Sequence, residues 1–305
     1  MHSLRISNSE RFERVFTMNN IKTRIIRDAK ELAAFVKSVK SEGKTIGLVP
    51  TMGYLHDGHL SLIRAARAKA DVVVVSDFVN PTQFGPSEDY ATYPRDEQAD
   101  LEKVQSCGAD ILFIPTVETL YPNGQGSTWV EVQNLGNILC GATRPGHFRG
   151  VATVVTKLLW LSQADYAFFG EKDYQQLTIL RRMAQDLGCP TEIIGMPLVR
   201  ESDGLALSSR NVRLSPDARQ QALSLSRGLK KASALFKTGC RDAQKLIAEA
   251  RNEIKAQPDA EIQYISLANP DTLELYIDTV PEQVIMLMAV KVGGVRLIDN
   301  MKFNE

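Results

Sequence analysis

The segment TIGLVPTMGYLHDGHLSLIRAARAKADVVVVS, residues 45–76, decides the fold class of this 305-residue chain. Thr45–Val49 is a short apolar run with β-branched residues, and a loop containing two glycines follows it. From His59 onward the apolar residues recur at helical spacing, and Val72–Val75 is a continuous β-branched run typical of a strand buried on both faces. A strand, a loop, a helix and a second strand in this order form one βαβ unit.

The same alternation continues as far as residue 195. Helices are predicted near residues 96–106, 151–162 and 174–187, and strands at 111–114, 166–169 and 191–195. Alternating strands and helices imply a parallel sheet with helices on both of its faces. The fold class predicted for this part of the chain is therefore α/β.

The pattern changes after about residue 198. Two long helices are predicted at residues 215–236 and 241–256, followed by strands at 261–267, 284–290 and 295–298 with a Gly293-Gly294 hairpin turn. We therefore predict a smaller α+β domain at residues 199–305, after a first domain at 21–198. Residues 1–20 are predicted to be a flexible extension, and Met18 is an alternative start.

Composition excludes several classes of protein. The 36 basic and 36 acidic residues cancel, so no overall field favours nucleic acid or an anionic membrane. The four cysteines are far apart and form no C-x-x-C pair, as expected of reduced thiols in the cytoplasm. No apolar run is long enough to span a membrane, and the first residues lack the apolar core of a signal peptide.

The strongest functional signal is the loop PTMGYLHDGH at residues 50–59. It lies at the carboxyl end of the first predicted strand, where open parallel sheets bind ligands and a helix N-terminus attracts phosphate. His56 and His59 are predicted to donate hydrogen bonds to phosphate oxygens from the first helical turn. Two alternatives remain: a helix-capping histidine beside a solvent-exposed one, or a zinc site formed with His147.

Three further polar segments follow at strand ends or at the domain junction. Asn80 and Gln83 follow Val72–Val75 and suit a small neutral or anionic substrate, although an ordinary Asn-Pro turn is the alternative. The segment GEKD at 170–173 offers a lysine for phosphate, with Gln176 on nearly the same helical face; an ion pair between its own glutamate and lysine is the alternative. The segment LSSRN at 207–211 suits a mobile oxyanion clamp or a polar linker.

The chain resembles the pantothenate synthetase (pantoate–β-alanine ligase) family over roughly residues 20–300. The matching stretches are PTMGYLHDGH at 50–59, FVNPTQF at 78–84, YPRD at 93–96, RPGHFRGVATVVTKL at 144–158, FFGEKDYQQ at 168–176 and DGLALSSRN at 203–211. The resemblance implies a Rossmann-like first domain of the HIGH-motif nucleotidyltransferase superfamily and a smaller second domain that closes over the site. It also implies a homodimer.

The resemblance further implies a reaction and its residues. Pantoate and ATP with Mg²⁺ give pantoyl adenylate and pyrophosphate, and β-alanine then gives pantothenate and AMP. The expected catalytic residues are His56, His59, Lys172 and Arg210, whereas the ligands of Mg²⁺ stay unassigned. The expected ATP contacts are Met52, Gly53, Tyr54, Leu55, His56, Asp57, Gly58, His59, Gly170, Glu171, Lys172, Asp173, Val199, Leu207, Ser208, Ser209 and Arg210. The expected substrate contacts are Gln83, Gln176, Asn80, Tyr93 and His147.

The chain departs from the family pattern at its longer N-terminus and at Asp77, where an apolar residue is expected. An ionised carboxylate at a strand end would oppose a polyanion or, in the core, carry a desolvation cost. We therefore predict that Asp77 is tied to a basic group or to backbone N–H groups, away from the phosphates. Two other functions remain as alternatives: a nucleotidyltransferase that stops at a nucleotidyl product, and a non-catalytic nucleotide-binding module.

Overall fold

The computed structural model describes residues 22–86 and 88–304. The predicted N-terminal extension therefore lies outside the described residues. Within the described ranges, no helix is both long enough and apolar enough to cross a membrane.

The larger sheet has six strands in the order β1-β4-β3-β2-β5-β6. Every neighbouring pair in it is parallel. Its strands are β1 (Arg24–Ile26), β2 (Ile46–Thr51), β3 (Val72–Asp77), β4 (Ile111–Phe113), β5 (Tyr166–Gly170) and β6 (Glu192–Met196). Val72–Val75 is buried, as its continuous apolar character predicts. The strand order reverses between β2 and β5, which makes the carboxyl ends of these strands the expected ligand crevice.

Helices cover both faces of this sheet. They are α1 (Ala29–Ser41), α2 (Asp57–Lys69), α3 (Glu97–Ser106), α4 (Val117–Leu120), α5 (Cys140–Thr143), α6 (His147–Ser162) and α7 (Tyr174–Asp186). One apolar core packs α1 and α6 against the sheet, and a second packs α2 on the opposite face. The predicted α/β architecture is confirmed.

The C-terminal part forms a separate antiparallel sheet in the order β10-β9-β7-β8. It consists of α8 (Pro216–Lys237), α9 (Ala243–Lys255), β7 (Ala260–Ala268), β8 (Leu275–Tyr276), β9 (Ile285–Val292) and β10 (Val295–Lys302). Gly293 and Gly294 form the tight turn between β9 and β10, and both have positive φ, of 54° and 81°. The two helices pack on one face of the sheet around their own apolar core. The small α+β unit is confirmed, whereas its boundary at residue 199 stays a prediction.

Strand β1 and helix α1, which precede β2 in the chain, were not predicted. Three-residue β1 is too short to show a period of two. Helix α1 does carry helix signals in its sequence. Asp28 caps its first turn, and the apolar residues Leu32, Val36 and Val39, which recur at helical spacing, are buried. Helix α6 begins at His147, earlier than predicted, because Gly146 in a left-handed conformation allows the chain to turn into it.

Candidate active site

A cavity of about 220 Å³ lies at the carboxyl ends of β2 and β5. Its wall combines the loop before α2, the segment after β3, the start of α7 and residues 197–210 of the domain junction. Most of the predicted site residues line it together: Met52, His56, Gly58, His59, Gln83, Tyr93, His147, Gly170, Lys172, Asp173, Gln176, Val199, Leu207, Ser208, Ser209 and Arg210. The structure therefore brings the four predicted polar segments into one site.

The two histidines of the loop lie side by side at the N-terminus of α2. His56 is the N-cap residue, its backbone N–H donates to His59 Nδ1 at 3.4 Å, and the two rings stack with centroids 4.1 Å apart. Burial, reinforced by Lys172, lowers the pKa of His56 to about 4. Burial, with His56 beside it, also lowers the pKa of His59 well below its usual value. Both imidazoles are therefore neutral hydrogen-bond donors at pH 7.

His147 contributes to the same cavity but is held by the protein through both of its ring nitrogens. Its Nδ1 lies 2.8 Å from the carbonyl oxygen of Gln83, and its Nε2 lies 2.9 Å from Arg144 Nη1. Because arginine only donates, Nε2 accepts and Nδ1 carries the proton. No group of three or more His, Cys, Asp or Glu side chains in residues 22–86 and 88–304 is arranged to hold a metal ion. The zinc alternative therefore lacks a ligand set in this region.

The backbone of the histidine loop is held from behind by a carboxylate that the sequence did not reveal. The N–H groups of Tyr54 and Leu55 donate to Asp100 at 2.6 and 2.7 Å. Asp100 is fully buried, and Tyr54 is held at a positive φ of 51°. Gly53 and these two residues consequently lie behind the cavity wall, and the side chain of Asp57 is exposed.

Asn80 and Gln83 occupy different positions despite their proximity in the chain. Asn80 is buried, and its amide donates to Gln83 Oε1 at 3.1 Å and to the carbonyl oxygen of Gly150 at 3.2 Å. Gln83 lines the cavity, and its amide nitrogen lies 3.1 Å from the sulfur of Met52. In this geometry Asn80 orients Gln83. Asn80 also caps the turn Pro81–Gln83, so the Asn-Pro turn is present, but the water-facing glutamine of that alternative is wrong because Gln83 is buried.

The segment Gly170–Asp173 divides into two faces. Lys172 and Asp173 line the cavity with their charged atoms 3.6 Å apart. Glu171 turns away and pairs with Lys302 of β10 at 3.2 Å, so the predicted alternative of a Glu171–Lys172 ion pair is wrong. Gln176 joins Lys172 in the wall, as its helical spacing predicts.

Arg210 is anchored by another residue that the sequence did not single out. Its guanidinium donates to both carboxylate oxygens of Asp89, at 3.0 and 3.1 Å, and Arg213 pairs with the same carboxylate. Arg144, which lies in the quoted RPGH stretch, also lines the cavity and pairs with Glu88 at 2.6 Å. Two arginines at one rim are therefore oriented by two neighbouring acids.

Asp77 corrects the sequence-based expectation. Within residues 22–86 and 88–304, no hydrogen-bond donor and no basic group pairs with its carboxylate. The carboxylate lies against Gly53, where an added Cβ would clash with it. Burial, together with the nearby Asp100 and Glu97, raises the pKa of Asp77 to about 7, and Arg95 partly offsets them. The predicted satisfied carboxylate is wrong because helix α3 brings Asp100 and Glu97 close to the end of β3. Asp77 does stay outside the cavity wall.

Asp77→Asn is expected to stabilise the protein increasingly as pH rises. The carboxyl pKa is about 7 in the folded state and about 4 when unfolded. The stability that the proton contributes is therefore lost between about pH 4 and pH 7, and the amide variant escapes this loss. We expect its unfolding free energy to exceed that of the parent by roughly 1–3 kcal/mol at pH 8, and by little at pH 4.

Urea unfolding at a series of pH values measures this difference. Asp186→Asn, which neutralises an exposed carboxylate, is the control and should show no comparable trend. A difference for Asp77→Asn that is flat with pH would contradict the half-buried, unpaired carboxyl.

The fold and the cavity define an α/β enzyme whose site lies at the carboxyl edge of a parallel sheet. The sequence profile of the pantoate-beta-alanine ligase family matches residues 24–302. The chain is 51% identical over 276 residues to the pantothenate synthetase of Syntrophotalea carbinolica, which covers 90% of this chain and 97% of that relative.

Two solved structures are also similar. Pantothenate synthetase from Thermus thermophilus superposes with a TM-score of 0.87 at 44% identity, covering 93% of this chain and 100% of that one. Pantoate-beta-alanine ligase from Francisella tularensis, described as complexed with beta-gamma ATP and beta-alanine, gives a TM-score of 0.77 at 35% identity, with 93% and 98% covered. The chain belongs to the pantoate–β-alanine ligase family.

Proposed function

We propose that this chain condenses pantoate with β-alanine in two steps, through pantoyl adenylate, with ATP consumed and AMP and pyrophosphate released. The observation that carries the proposal is the convergence of two neutral imidazoles, a lysine and the Ser208–Arg210 segment on one cavity. Family membership and the ligands named for the Francisella tularensis relative support the same reaction.

In the first step a pantoate carboxylate oxygen attacks the α-phosphorus of ATP, and pyrophosphate leaves. Negative charge then accumulates on the phosphate oxygens, and catalysis consists mainly of positioning and charge stabilisation. His56 and His59 can donate without carrying charge, whereas Lys172 and Arg210 supply positive charge. We assign the remaining ATP contacts to the predicted residues that line the cavity, which are Met52, Gly58, Gly170, Asp173, Val199, Leu207, Ser208 and Ser209.

In the second step the amine of β-alanine attacks the acyl carbon, and AMP leaves with the bridging oxygen. No side-chain nucleophile is needed, because the adenylate is already activated. Gln83 and Gln176 are assigned to pantoate, and Gln83 also to β-alanine. Tyr93 and His147 are assigned to the same substrate region, and Asn80 acts there by orienting Gln83.

The cavity also offers a fit for the Mg²⁺ that the resemblance implies. Asp173 is the single acidic side chain among the cavity-lining residues in the described part of the chain, and this side chain is 48% exposed. Mg²⁺ is usually held by one or two carboxylates together with substrate phosphates and water. When bound, the ion would neutralise charge on the phosphates, and Asp173 is the residue assigned to hold it.

We also infer that the enzyme acts in the cytoplasm as a homodimer, without nucleic acid or membrane partners. The balanced charge and the spacing of the cysteines support this location, and the family resemblance supports the dimer. Likewise, residues 199–305 are assigned the role of a lid.

Omission of single substrates tests the proposed function. Pyrophosphate release should require ATP and pantoate, whereas AMP release in repeated turnovers should require β-alanine as well. Release of pyrophosphate without pantoate would favour another nucleotidyltransferase, and no release under any condition would favour a non-catalytic nucleotide-binding module.

Gln83→Ala is expected to raise the KM for pantoate and β-alanine by about tenfold, because it removes a cavity-lining amide that is assigned to both substrates. The kcat for adenylation should change less, because no phosphate contact is lost. Steady-state kinetics with each substrate varied in turn separates the two. Gln220→Ala removes an exposed glutamine and is the control. A kcat loss with unchanged KM values would contradict this assignment.

A further inference from the structure

The C-terminal strand β10 contacts the turn that carries Lys172. The side-chain amide of Asn300 donates to the carbonyl oxygen of Glu171 at 2.9 Å and to that of Lys172 at 3.0 Å. Asn300 is 8% exposed, so water cannot readily replace these hydrogen bonds. One side chain of the small sheet thus fixes two consecutive peptide groups of the proposed phosphate-binding turn.

A second contact reinforces the first from the same strand. Lys302 Nζ lies 3.3 and 3.2 Å from the two carboxylate oxygens of Glu171, and both side chains are only 20% exposed. This ion pair explains why Glu171 faces away from the cavity while its neighbour Lys172 faces into it. Alternate residues of β10 therefore hold both the backbone and the side chain of the turn.

Asp299, which precedes Asn300 in β10, links this strand to the domain junction. Asp299 accepts two hydrogen bonds from Arg200, at 2.8 and 2.9 Å, and its side chain is 2% exposed. Arg200 pairs through its backbone with Ala206, and the N–H of Leu207 donates to the carbonyl of Val199 at 3.0 Å. The Arg200–Asp299 pair consequently fixes the short ribbon from which the Ser208–Arg210 segment projects.

We propose that Asp299 and Asn300 are positioning residues for adenylation, which set the separation of Lys172 and the Ser208–Arg210 segment across the cavity when β10 contacts the 170–173 turn, as it does in this structure. This inference rests on the proposed function. The adenylation transition state requires both groups at once, and a misplacement of about 1 Å can reduce a rate by about 10²-fold. The small sheet therefore contributes to catalysis through hydrogen bonds to the backbone, without touching the substrate.

The experiment is a double-mutant cycle between Asn300→Leu and Lys172→Ala, read as single-turnover pyrophosphate release from ATP and pantoate. Leucine has a similar volume but cannot donate. Asn300→Leu alone should slow adenylation by about 10–100-fold, with the KM for pantoate changed less than about threefold. If Asn300 acts through Lys172, adding Asn300→Leu to Lys172→Ala should cost less than about threefold more.

Two further variants keep the test decisive. Asn252→Leu makes the same replacement at an exposed asparagine and should leave the rate unchanged. Lys302→Met alters a less buried partner of the same turn, so it reports even where Asn300→Leu fails to fold; it should slow adenylation by about 3–10-fold, again without adding to Lys172→Ala.

The inference would be overturned if either double variant, Lys172→Ala with Asn300→Leu or Lys172→Ala with Lys302→Met, lost adenylation rate by the product of its two single losses. A rate that is unchanged in a folded Asn300→Leu protein would also overturn it. An inactive parent protein would instead overturn the proposed function itself, so the two failures are distinguishable.

Discussion

Replacing Lys172 by alanine is expected to slow formation of the adenylate by about 10²–10³-fold, the scale for losing one donor to a transition state. Lys172 follows β5 in a short turn and lines the cavity, with Asp173 at 3.6 Å as its ion-pair neighbour. Its ammonium group acts as a point charge toward phosphate oxygens. Because negative charge increases there during the attack, the loss should fall on kcat more than on ATP binding.

Single-turnover release of pyrophosphate measures this step without the later reaction with β-alanine. The matched control is Lys291→Ala, which removes a partly exposed lysine of β9 that lies 3.8 Å from Glu261, and it should retain the parent rate. A rate for Lys172→Ala within about threefold of the parent would show that the assigned role is wrong.

His59→Ala is expected to produce a loss of similar size, about 10²–10³-fold in the adenylation rate. The backbone N–H of His56 donates to His59 Nδ1, which leaves the ring proton on Nε2 as the donor available to the cavity. Since burial lowers the pKa of His59 well below its usual value, this donor is neutral throughout the range from pH 6 to pH 8. The contribution of His59 should therefore not vary with pH in that range.

His59→Gln is the matched variant, because its amide nitrogen can approach the position of Nε2. We expect it to recover part of the rate that alanine loses, with both variants showing the pH profile of the parent between pH 6 and pH 8. A His59→Ala defect that grows as pH falls would indicate that a protonated imidazole is the active form, contrary to the assignment.

The sequence predicted much of the site because of one geometric property of the fold. The carboxyl ends of neighbouring parallel strands meet at one edge, so polar segments after β2, β3 and β5 had to converge. His56, Gln83 and Lys172 meet in one cavity for this reason. The roles of these residues came from the family resemblance, and they stay predictions.

The residues that orient the site were not predictable in the same way. Asp100 holds the 52–59 loop from 46 positions away in the chain, and Asn300 reaches Lys172 from 128 positions away. A lone acid in a helix or a lone amide in a strand gives no local pattern. Such contacts depend on tertiary packing, which periodicity does not report.

The environment of Asp77 could not be predicted from electrostatics alone, because the sequence does not show which groups lie next to its carboxylate. A buried carboxylate usually has a partner, and the expectation of one was sound on average. The pairing of β3 with β2 places Asp77 opposite Thr51, however, so its side chain lies against the loop beside two other acids. The carboxyl group then responds by a raised pKa instead of an ion pair.

The most direct test of the central claim, that the chain activates pantoate as an adenylate, follows oxygen from the carboxylate. Pantoate labelled with ¹⁸O in both carboxylate oxygens is turned over with ATP and β-alanine, and the products are analysed by mass spectrometry. We expect one labelled oxygen in AMP and one in the amide carbonyl of pantothenate, because the bridging oxygen leaves with AMP. Label absent from AMP, with the second labelled oxygen found in pyrophosphate, inorganic phosphate or water instead, would contradict the adenylate mechanism.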